Sequence, residues 1–349
     1  MKYRIAYIEL DTHAEVLNQF YELTKNSTTF DVDFYVSDKI NKLVRNQDFE
    51  PIVTDANKII RLLNGQDYDL VIIGTVHRYF KTFLKIVRAF STAVLVHNLN
   101  FAKSESADLL KAVPLDDSTY RTKLLLLEGL LSVPKVYTEC DYQLVLDENM
   151  SDDKHLFLPL YYLKNTSKTR NPIPKVVIPG AVSQNRRDYN KVIQVLQKAK
   201  QPLDVYFLGK AEGEELKAIQ ALVAKPNLPL KLHFYTQKLS NSEFQKILSK
   251  ADVLWCPIQT KTSFFSLEEI YGKTKSSGNL GDAITFGKKA IFPKSYTSHY
   301  PFIVKEADDI LAQLNDVLMD TDYDFEKNYS YQNIQKKLED TLVQMIQKS

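Results

Sequence analysis

Short runs of β-forming residues alternate with longer stretches of helical period through most of the chain. Parallel strands need a long crossover, which a helix usually supplies, so this alternation is typical of a parallel sheet covered by helices. In the first half the predicted strands are 4–8, 33–36, 70–73 and 93–97. The predicted helices are 14–24, 56–63, 78–90 and 118–131, followed by an extended segment over 136–146. The first half is therefore predicted to form one doubly wound α/β domain.

The same alternation starts again after 165–174, a polar segment with two prolines that is predicted to be a linker. The second set of predicted strands is 175–178, 203–208, 230–235, 252–255 and 290–292. Its predicted helices are 188–199, 212–223, 241–250 and a shorter one near 282–286. Ser240 and Glu243 have the spacing of a capping box at the start of the third helix. The sequence thus predicts a second unit built like the first.

The predicted domains span residues 1–165 and 172–321, and a charged segment, 322–349, follows them. A total of 349 residues also favours two domains over one. The last segment is predicted to be a helix, because apolar residues recur in it at intervals of four: Ile334, Leu338, Leu342 and Ile346. Two placements stay open for this helix, one across the domain junction and one as a simple covering helix.

The charge and cysteine content exclude several classes of protein. Forty-five basic against 43 acidic residues leave a formal net charge of +2, too balanced for a chain that binds mainly by neutralising nucleic-acid phosphates. Cys140 and Cys256 lie far apart, so there is neither a disulfide framework nor a CxxC zinc motif. Glu9 and Asp11 interrupt the first apolar stretch before it could act as an export signal, and no apolar run approaches the roughly 20 residues that cross a bilayer. A cytoplasmic protein, soluble or peripheral to the inner face of the membrane, is predicted.

Ligands of parallel sheets bind beyond the carboxyl ends of the strands, so the loops that follow strands are the first candidates for a site. After the predicted strand 175–178 the chain passes through Gly180 and enters a helix with two arginines at its start. Gly180 permits a close backbone approach, and Arg187 with the free amides of the helix suits an anion such as a diphosphate. A plain turn with solvated arginines is the alternative, and the sequence does not decide between the two.

A denser group of polar residues lies in the long segment 268–284, which contains three glycines, several hydroxyl side chains and two lysines. Its backbone amides and Lys275 can hold phosphates, and Asp282 can hold ribose hydroxyls. The segment is not a Walker loop, since Leu267 stands where that motif needs glycine, and no dinucleotide-binding glycines follow the first strand. A solvated, glycine-rich surface loop is the alternative.

These motifs carry a resemblance to a known family: Ile178-Pro179-Gly180, Arg186-Arg187-Asp188-Tyr189, Tyr271-Gly272-Lys273-Thr274-Lys275-Ser276-Ser277-Gly278 and Asp282-Ala283-Ile284. They resemble the donor domain of GT-B glycosyltransferases, especially bacterial family 4-like members. The resemblance covers the C-terminal domain, and the N-terminal domain is similar in architecture only. It implies a GT-B fold of two Rossmann-like domains that face a cleft, with a metal-independent sugar transfer in that cleft.

The resemblance also implies roles for residues. Glu269 would contact the donor sugar and Asp282 the ribose, although Asp282 follows Glu269 by thirteen residues, a longer spacing than in the family. Arg187 and Lys275 would bind the diphosphate, helped by Gly180 and by the amides around Ser277 and Gly278. No cofactor is implied, because the nucleotide-sugar, UDP- or GDP-linked, is a substrate.

Three histidines follow strands of the N-terminal domain, where the family binds its acceptor: His13, His77 and His97. His97 is the preferred candidate to orient the acceptor, since polar residues begin abruptly at the end of its apolar strand. If the reaction inverts configuration, a base is required, and His13 or His97 can serve. Histidines that satisfy backbone groups at strand ends are the alternative. No Asp-x-Asp pair for a metal-nucleotide complex is evident at a strand end.

Residues 78–90 are predicted to form a basic amphipathic helix, with Arg78, Lys81, Lys85 and Arg88 on one stripe. The stripe can contact anionic lipid or a lipid-linked acceptor, or it can be the solvated face of a sheet-covering helix.

We therefore predict a glycosyltransferase that moves a sugar from a nucleotide-sugar to a saccharide or lipid-linked acceptor, in the synthesis of cell-surface polysaccharide or glycoconjugate. Two alternatives stay open. One is a nucleotide-sugar epimerase of GT-B fold, which needs no acceptor. The other is a non-catalytic scaffold that binds nucleotide-sugar, which the longer spacing between the two acids suggests.

Overall fold

The structure is a computed structural model that describes residues 2–44, 48–164, 171–319 and 323–348. It divides the chain into two compact units. Unit 1 consists of Met1–Leu160, Ser263–Ser276 and Tyr331–Ser349, and unit 2 of Tyr161–Thr262 and Ser277–Ser330. The first six residues of the predicted linker, 165–170, and the predicted boundary at 321–322 lie outside the described residues.

Unit 1 contains a seven-stranded sheet in the order β3-β2-β1-β4-β5-β6-β7, with all neighbours parallel. The strands are β1 (Tyr3–Glu9), β2 (Phe30–Val36), β3 (Ile52–Val53), β4 (Leu70–Ile73), β5 (Thr92–Leu95), β6 (Tyr142–Val145) and β7 (His155–Phe157). The four strands that the sequence predicts in this half are confirmed. The central strands are apolar throughout because helices cover both faces of a parallel sheet.

The helices of unit 1 up to residue 160 are α1 (Ala14–Thr24), α2 (Asp38–Asn41), α3 (Ile59–Leu63), α4 (Phe80–Val87), α5 (Leu99–Ala102), α6 (Ser106–Ala112), α7 (Ser118–Lys123) and α8 (Val133–Glu139). A π-helical turn, Leu124–Glu128, follows α7, and Leu130–Ser132 and Glu148–Met150 form 3₁₀ turns. The predicted helix over 118–131 therefore forms in three pieces of different helical type.

The prediction of an extended segment over 136–146 is wrong in its first half, where α8 ends at Glu139 before β6 begins. Pro134 stands in the first turn of α8, a position that tolerates proline. Val133, Val136 and Tyr137 are buried at helical spacing, and α8 packs against α4. Tertiary packing thus outweighs the β propensity of these side chains.

Unit 2 contains a six-stranded parallel sheet in the order β10-β9-β8-β11-β14-β15. Counted within the unit this is the order 3-2-1-4-5-6 of nucleotide-binding folds. The strands are β8 (Lys175–Pro179), β9 (Leu203–Lys210), β10 (Leu230–Tyr235), β11 (Val253–Trp255), β14 (Ala290–Phe292) and β15 (Ile303–Lys305). The helices are α9 (Tyr189–Leu196), α10 (Gly213–Val223), α11 (Asn241–Ser249), α12 (Gly278–Phe286), α13 (Ile310–Met319) and α14 (Phe325–Tyr329). The predicted capping box of α11 is confirmed, because Ser240 and Glu243 each accept from the other's backbone amide.

Two further strands, β12 (Lys261–Phe264) and β13 (Leu267–Ile270), form a separate two-stranded sheet. Phe265 and Ser266 connect them with φ values of 54° and 58°, the left-handed conformation that a two-residue hairpin turn requires. Phe264, Phe265 and Leu267 pack against the hydrophobic core of unit 1. Because of this apolar packing, residues 263–276 belong to unit 1, whereas the sequence places them within the C-terminal domain.

The C-terminal helix, α15 (Tyr331–Lys348), also packs in unit 1. It buries Ile334, Leu338 and Leu342, as their spacing predicts, together with Met345. The hydroxyl of Tyr331 donates to the backbone carbonyl of Glu22 in α1 at 2.9 Å. Among the described residues, no helix has the length and apolar character needed to cross a membrane.

Replacing the fully buried Leu338 tests the packing of α15. We expect Leu338→Ala to lower the free energy of unfolding by about 2–5 kcal/mol, because it removes buried methyl groups and leaves a cavity. Lys336→Ala, at an exposed position of the same helix, is the matched control and should change stability by less than about 0.5 kcal/mol. Urea titration followed by circular dichroism measures both, and equal stabilities would contradict the packing.

Candidate functional site

The loop after β8 in unit 2 brings Gly180 and Arg187 together. Gly180 has φ +100°, and a Cβ atom there would lie 2.1 Å from Nη2 of Arg187, so only glycine fits beneath the guanidinium. A Cβ atom on Gly209 of β9 would lie 2.2 Å from the carbonyl oxygen of Gly180. Two glycines therefore allow the loop and the arginine side chain to lie this close to the strand ends.

Asn279 connects Arg187 to Asp282. Arg187 donates from Nη2 to Oδ1 of Asn279 at 3.1 Å, and Asn279 donates from Nδ2 to Oδ2 of Asp282 at 3.1 Å. The buried Nε of Arg187 has no hydrogen-bond partner within the described ranges. The site therefore holds a guanidinium in place by its other nitrogens and leaves one buried N–H group unsatisfied.

Helix α12 begins beside this cluster. Ser277 is its N-cap and accepts the amide of Asn279 through Oγ at 3.3 Å, and the space around the Cα of Gly278 is open. The first turn of a helix presents free amides and partial positive charge. Burial raises the pKa of Asp282 to about 6, and its contacts with Asn279 and Arg187 limit the rise. At neutral pH its carboxylate is available to accept hydrogen bonds.

The structure brings five of the predicted donor-site residues together in unit 2: Gly180, Arg187, Ser277, Gly278 and Asp282. Sequence reasoning missed Asn279, although an asparagine in the first turn of a glycine-flanked helix was a usable signal. The two other predicted residues, Glu269 and Lys275, lie in unit 1.

Glu269 is fully buried in unit 1 and accepts the backbone amide of Phe101, in α5, through Oε1 at 3.0 Å. Burial raises the pKa of this carboxyl, and hydrogen bonds from Thr274 and from backbone amides oppose the rise. The other carboxylate oxygen of Glu269, Oε2, is buried and has no hydrogen-bond partner among the described residues. Glu269 thus connects β13 to α5 through Oε1, and its contact with a donor sugar stays a prediction.

Lys275 lies among the histidines of unit 1. Its ammonium donates to Oδ1 of Asn98, and it lies 5.6 Å from the ring centroid of Phe264. Asn98 in turn lies within hydrogen-bond distance of His77, with 3.3 Å from its Nδ2 to Nε2. Asn98 and Lys275 also form a backbone bridge. The hairpin that packs on unit 1 thus delivers a positive charge to the strand ends of that unit.

The three predicted histidines converge at these strand ends. The rings of His13 and His97 stack at 3.8 Å with an interplanar angle of 9°, and His77 meets both rings at 5.8–5.9 Å. Nε2 of His97 lies 2.8 Å from the carbonyl oxygen of Gly74, so it must carry a proton and donate it. Among the described residues, no group of three or more His, Cys, Asp or Glu side chains is arranged to hold a metal ion.

The histidines differ in how they ionise. Burial lowers the pKa of His97 well below its usual value, and it lowers the pKa of His77 to about 3, in both cases helped by neighbouring charge from His13 and Lys275. His13 is more exposed than His97, and its Nδ1 lies 2.9 Å from Oε1 of Glu15. Only a proton on Nδ1 can make this contact, and Nε2 of His13 has no hydrogen-bond partner among the described residues. His13 also has φ 59°, a strained backbone for a histidine.

Sequence reasoning missed Glu9, which follows the four apolar residues of β1. It is fully buried, accepts the hydroxyl of Thr75 at 2.6 Å through Oε2, and accepts the amides of Asp11 and Thr12 at 3.2 Å through Oε1. Burial raises its pKa to about 7, and these hydrogen bonds oppose the rise. An acid at the end of an apolar central strand was the signal that could have found it.

The ionisation of Glu9 should appear in the pH dependence of stability. Its pKa is raised from 4.5 to about 7 in the folded state, so its contribution to stability is complete below pH 4.5 and is lost as the pH rises through 7. Glu9→Gln keeps the shape but does not ionise. We expect the stability of this variant relative to the wild-type protein to rise by about 2 kcal/mol between pH 5 and pH 8.

Urea denaturation at both pH values measures this difference. His77 and His97 have the opposite effect: their lowered pKa values make the folded protein less stable as the pH falls below the pKa of histidine in the unfolded chain. This effect is common to the variant and the wild-type protein, so comparing the two at each pH cancels it. A pH-independent difference would show that Glu9 titrates at its ordinary pKa.

Comparison with known proteins bears on the fold. No sequence family matches the chain, and no curated protein is similar to it in sequence. Solved structures do match over nearly the whole length. Sucrose-phosphate synthase from Thermosynechococcus elongatus aligns with a TM-score of 0.60 at 11% identity, covering 100% of each chain. A glycosyltransferase from Rickettsia africae aligns with a TM-score of 0.57 at 9% identity, covering 99% of this chain and 96% of its own.

A putative UDP-N-acetylglucosamine 2-epimerase from Listeria monocytogenes aligns with a TM-score of 0.58 at 11% identity, covering 100% of this chain and 98% of its own. Together with the two parallel sheets and the C-terminal helix, these similarities place the chain in the GT-B fold class and confirm the predicted fold. At this level of identity they show the fold alone, so the likeness to family 4 stays a prediction.

Proposed function

We propose that the protein is a metal-independent glycosyltransferase whose unit 2 binds a nucleotide-sugar, UDP- or GDP-linked. The observation that carries the proposal is the cluster of Arg187, Asn279 and Asp282 at the start of α12, on a sheet with the strand order of nucleotide-binding folds. The unsatisfied Nε of Arg187 and the first amides of α12 suit the oxygens of a diphosphate. The same groups would stabilise the charge that builds up on the diphosphate as it leaves.

Asp282 would hold the ribose of the donor. Its carboxylate is held by Asn279 through one oxygen, and ribose hydroxyls are hydrogen-bond donors that suit the remaining acceptor positions. The open space at Gly278 lets a bulky ligand approach the helix backbone. Gly180 would serve by keeping Arg187 against the strand end.

Unit 1 would bind the acceptor, a saccharide or a lipid-linked sugar, at its histidines. His13 is the candidate base, because its Nε2 has no hydrogen-bond partner in the described part of the chain while Nδ1 contacts Glu15. His97 donates its Nε2 proton to the carbonyl oxygen of Gly74 and would position the ring of His13 by stacking against it. Lys275 favours neutral histidines through its charge and would contact acceptor oxygens. A cytoplasmic role in polysaccharide or glycoconjugate synthesis is part of the same proposal.

A nucleotide-sugar 2-epimerase is the second candidate, because proteins with that name share this fold over the full chain. An epimerase would need the donor site and proton-transfer groups such as His13 and Glu9, but no acceptor. Incubation with UDP- and GDP-sugars, with and without acceptors, followed by product analysis, separates the two. Release of free nucleotide that depends on an acceptor supports transfer, and a new sugar epimer without release supports epimerisation.

The donor site is tested by Arg187→Ala. Loss of a charge-assisted contact with a diphosphate should weaken nucleotide-sugar binding by tenfold or more, about 1.5–3 kcal/mol. Arg186→Ala is the matched control, because this neighbouring side chain is exposed, and it should bind as the wild-type protein does. Calorimetric titration with UDP, GDP and their sugars gives the affinities, and circular dichroism checks the fold.

Wild-type protein that binds no nucleotide or nucleotide-sugar would contradict the proposed function itself. Equal affinities of the two arginine variants would contradict only the placement of the diphosphate at Arg187. Binding without any turnover, once acceptors have been tried, would favour the non-catalytic scaffold.

The role of His13 as base is tested by His13→Asn, since asparagine tolerates the left-handed backbone of this position. We expect kcat to fall by about 10²–10⁴-fold with little change in nucleotide affinity, because only proton transfer is removed. His299→Asn, at an exposed position of unit 2, is the control. Wild-type kcat in His13→Asn would show that the acceptor loses its proton without this residue, as a retaining transfer allows.

A further inference from the structure

Unit 1 exposes a group of large apolar side chains within a short part of the chain. Of the eleven large hydrophobic residues that the described part of the chain exposes, six lie between residues 110 and 131. The exposed fractions are 46% for Leu110, 67% for Leu126, 69% for Leu127 and 37% for Leu131. We call these four residues the leucine surface; Leu115 and Tyr120 are exposed beside it in sequence.

The local structure explains why these leucines are not buried. The run Leu124–Leu127 lies in the π-helical turn, where Leu124 is buried against the core while Leu126 and Leu127 point away from it. The 3₁₀ turn 130–132 packs against α6, and the Ser106 hydroxyl donates to the carbonyl of Leu131 at 3.4 Å. Helix α4 packs against both turns. Ordered elements therefore carry the leucine surface, and it is not a loose loop.

Exposed cations accompany the leucine surface. The side chain of Lys81 lies across Gly129, which leaves no room for a Cβ atom there. Lys85, Lys123 and Lys135 are also exposed on the same elements or the elements packed against them. Several nearby carboxylates are already matched: Glu128 by Arg78, Glu139 by Arg88 and Asp116 by Arg121. Glu105, Asp108 and Asp117 lie on or beside the same elements, but the exposed lysines, which include Lys103 and Lys111, outnumber them, so net positive charge remains for an external partner.

We propose that the leucine surface docks unit 1 onto an anionic lipid bilayer. Leucine side chains enter the boundary between headgroups and acyl chains, and the lysines around them contact lipid phosphates, as at other interfacial helices. A second copy of this chain fits less well, because it would bring lysines against lysines. Two cations of the predicted basic stripe, Arg78 and Arg88, form ion pairs with carboxylates of unit 1. Lys81 and Lys85 have no ion pair in the described residues, so these two lysines are the members of the stripe that we expect to contact lipid.

Flotation with vesicles tests the proposal without any measurement of activity. Wild-type protein should float with vesicles of phosphatidylcholine that contain phosphatidylglycerol, and much less with pure phosphatidylcholine, and the binding should weaken with salt. The double variant Leu126→Ser, Leu127→Ser should bind about tenfold or more weakly, because it removes two apolar anchors. The double variant Ile173→Ser, Val223→Ser replaces exposed apolar residues of unit 2 and should bind as the wild-type protein does.

A charge variant provides an independent arm. Lys85→Gln with Lys123→Gln should weaken flotation with phosphatidylglycerol vesicles and reduce its dependence on salt, whereas Lys225→Gln with Lys246→Gln, exposed in unit 2, should not. If the leucine variant fails to fold by circular dichroism, Leu127→Trp replaces it, and its fluorescence should shift to shorter wavelength on addition of the same vesicles.

Absence of flotation by the wild-type protein would overturn the proposal. Equal flotation of the double variant Leu126→Ser, Leu127→Ser and the control double variant Ile173→Ser, Val223→Ser would also overturn it. A self-association seen by light scattering in the wild-type protein, and lost in the leucine variant without any vesicle binding, would assign the surface to a second copy instead.

Discussion

Parallel pairing of strands determines where chemistry can lie in this protein. In each large sheet every neighbour is parallel, so all the strands of a sheet end at the same edge and the loops that leave them lie side by side. Glu9, Gly74 and His97 meet for this reason in unit 1, although about 90 residues separate the first from the last. Gly180 and Arg187 meet Asn279 in unit 2 in the same way.

The hairpin of β12 and β13 determines where two charged side chains, Glu269 and Lys275, lie. Apolar residues at its tip pack on unit 1, and Arg121 fixes the turn by donating to Ser266 at 2.7 Å and by lying over the ring of Phe265. The buried Glu269 then binds the hairpin to α5. Because the chain is held here, Lys275 lies among the histidines of unit 1, while Ser277 is already the N-cap of helix α12 in unit 2. The polar segment 268–284 therefore contributes Lys275 to the histidine cluster of unit 1 and Asn279 to the cluster around Arg187 in unit 2.

Burial separates the ionisation of groups that lie close together. His77 and His97 are kept neutral, and the pKa of Glu9 rises to about 7. Sets of titratable groups with divergent pKa values are characteristic of sites that move protons.

The sequence by itself determined the strand and helix alternation, the two Rossmann-like units, the capping box of α11 and the amphipathic C-terminal helix, because these depend on local periodicity and propensity. It also indicated Arg187 and the three histidines, which follow strands or precede a helix, and Asp282, which the sequence placed at a helix start but which is the fifth residue of α12. The tertiary structure alone decided the rest. It made α8 a helix, buried Glu269, moved Lys275 to unit 1 and brought in Asn279 and Glu9. Those outcomes depend on packing between residues far apart in the chain, and no local pattern encodes which distant surface a segment will cover.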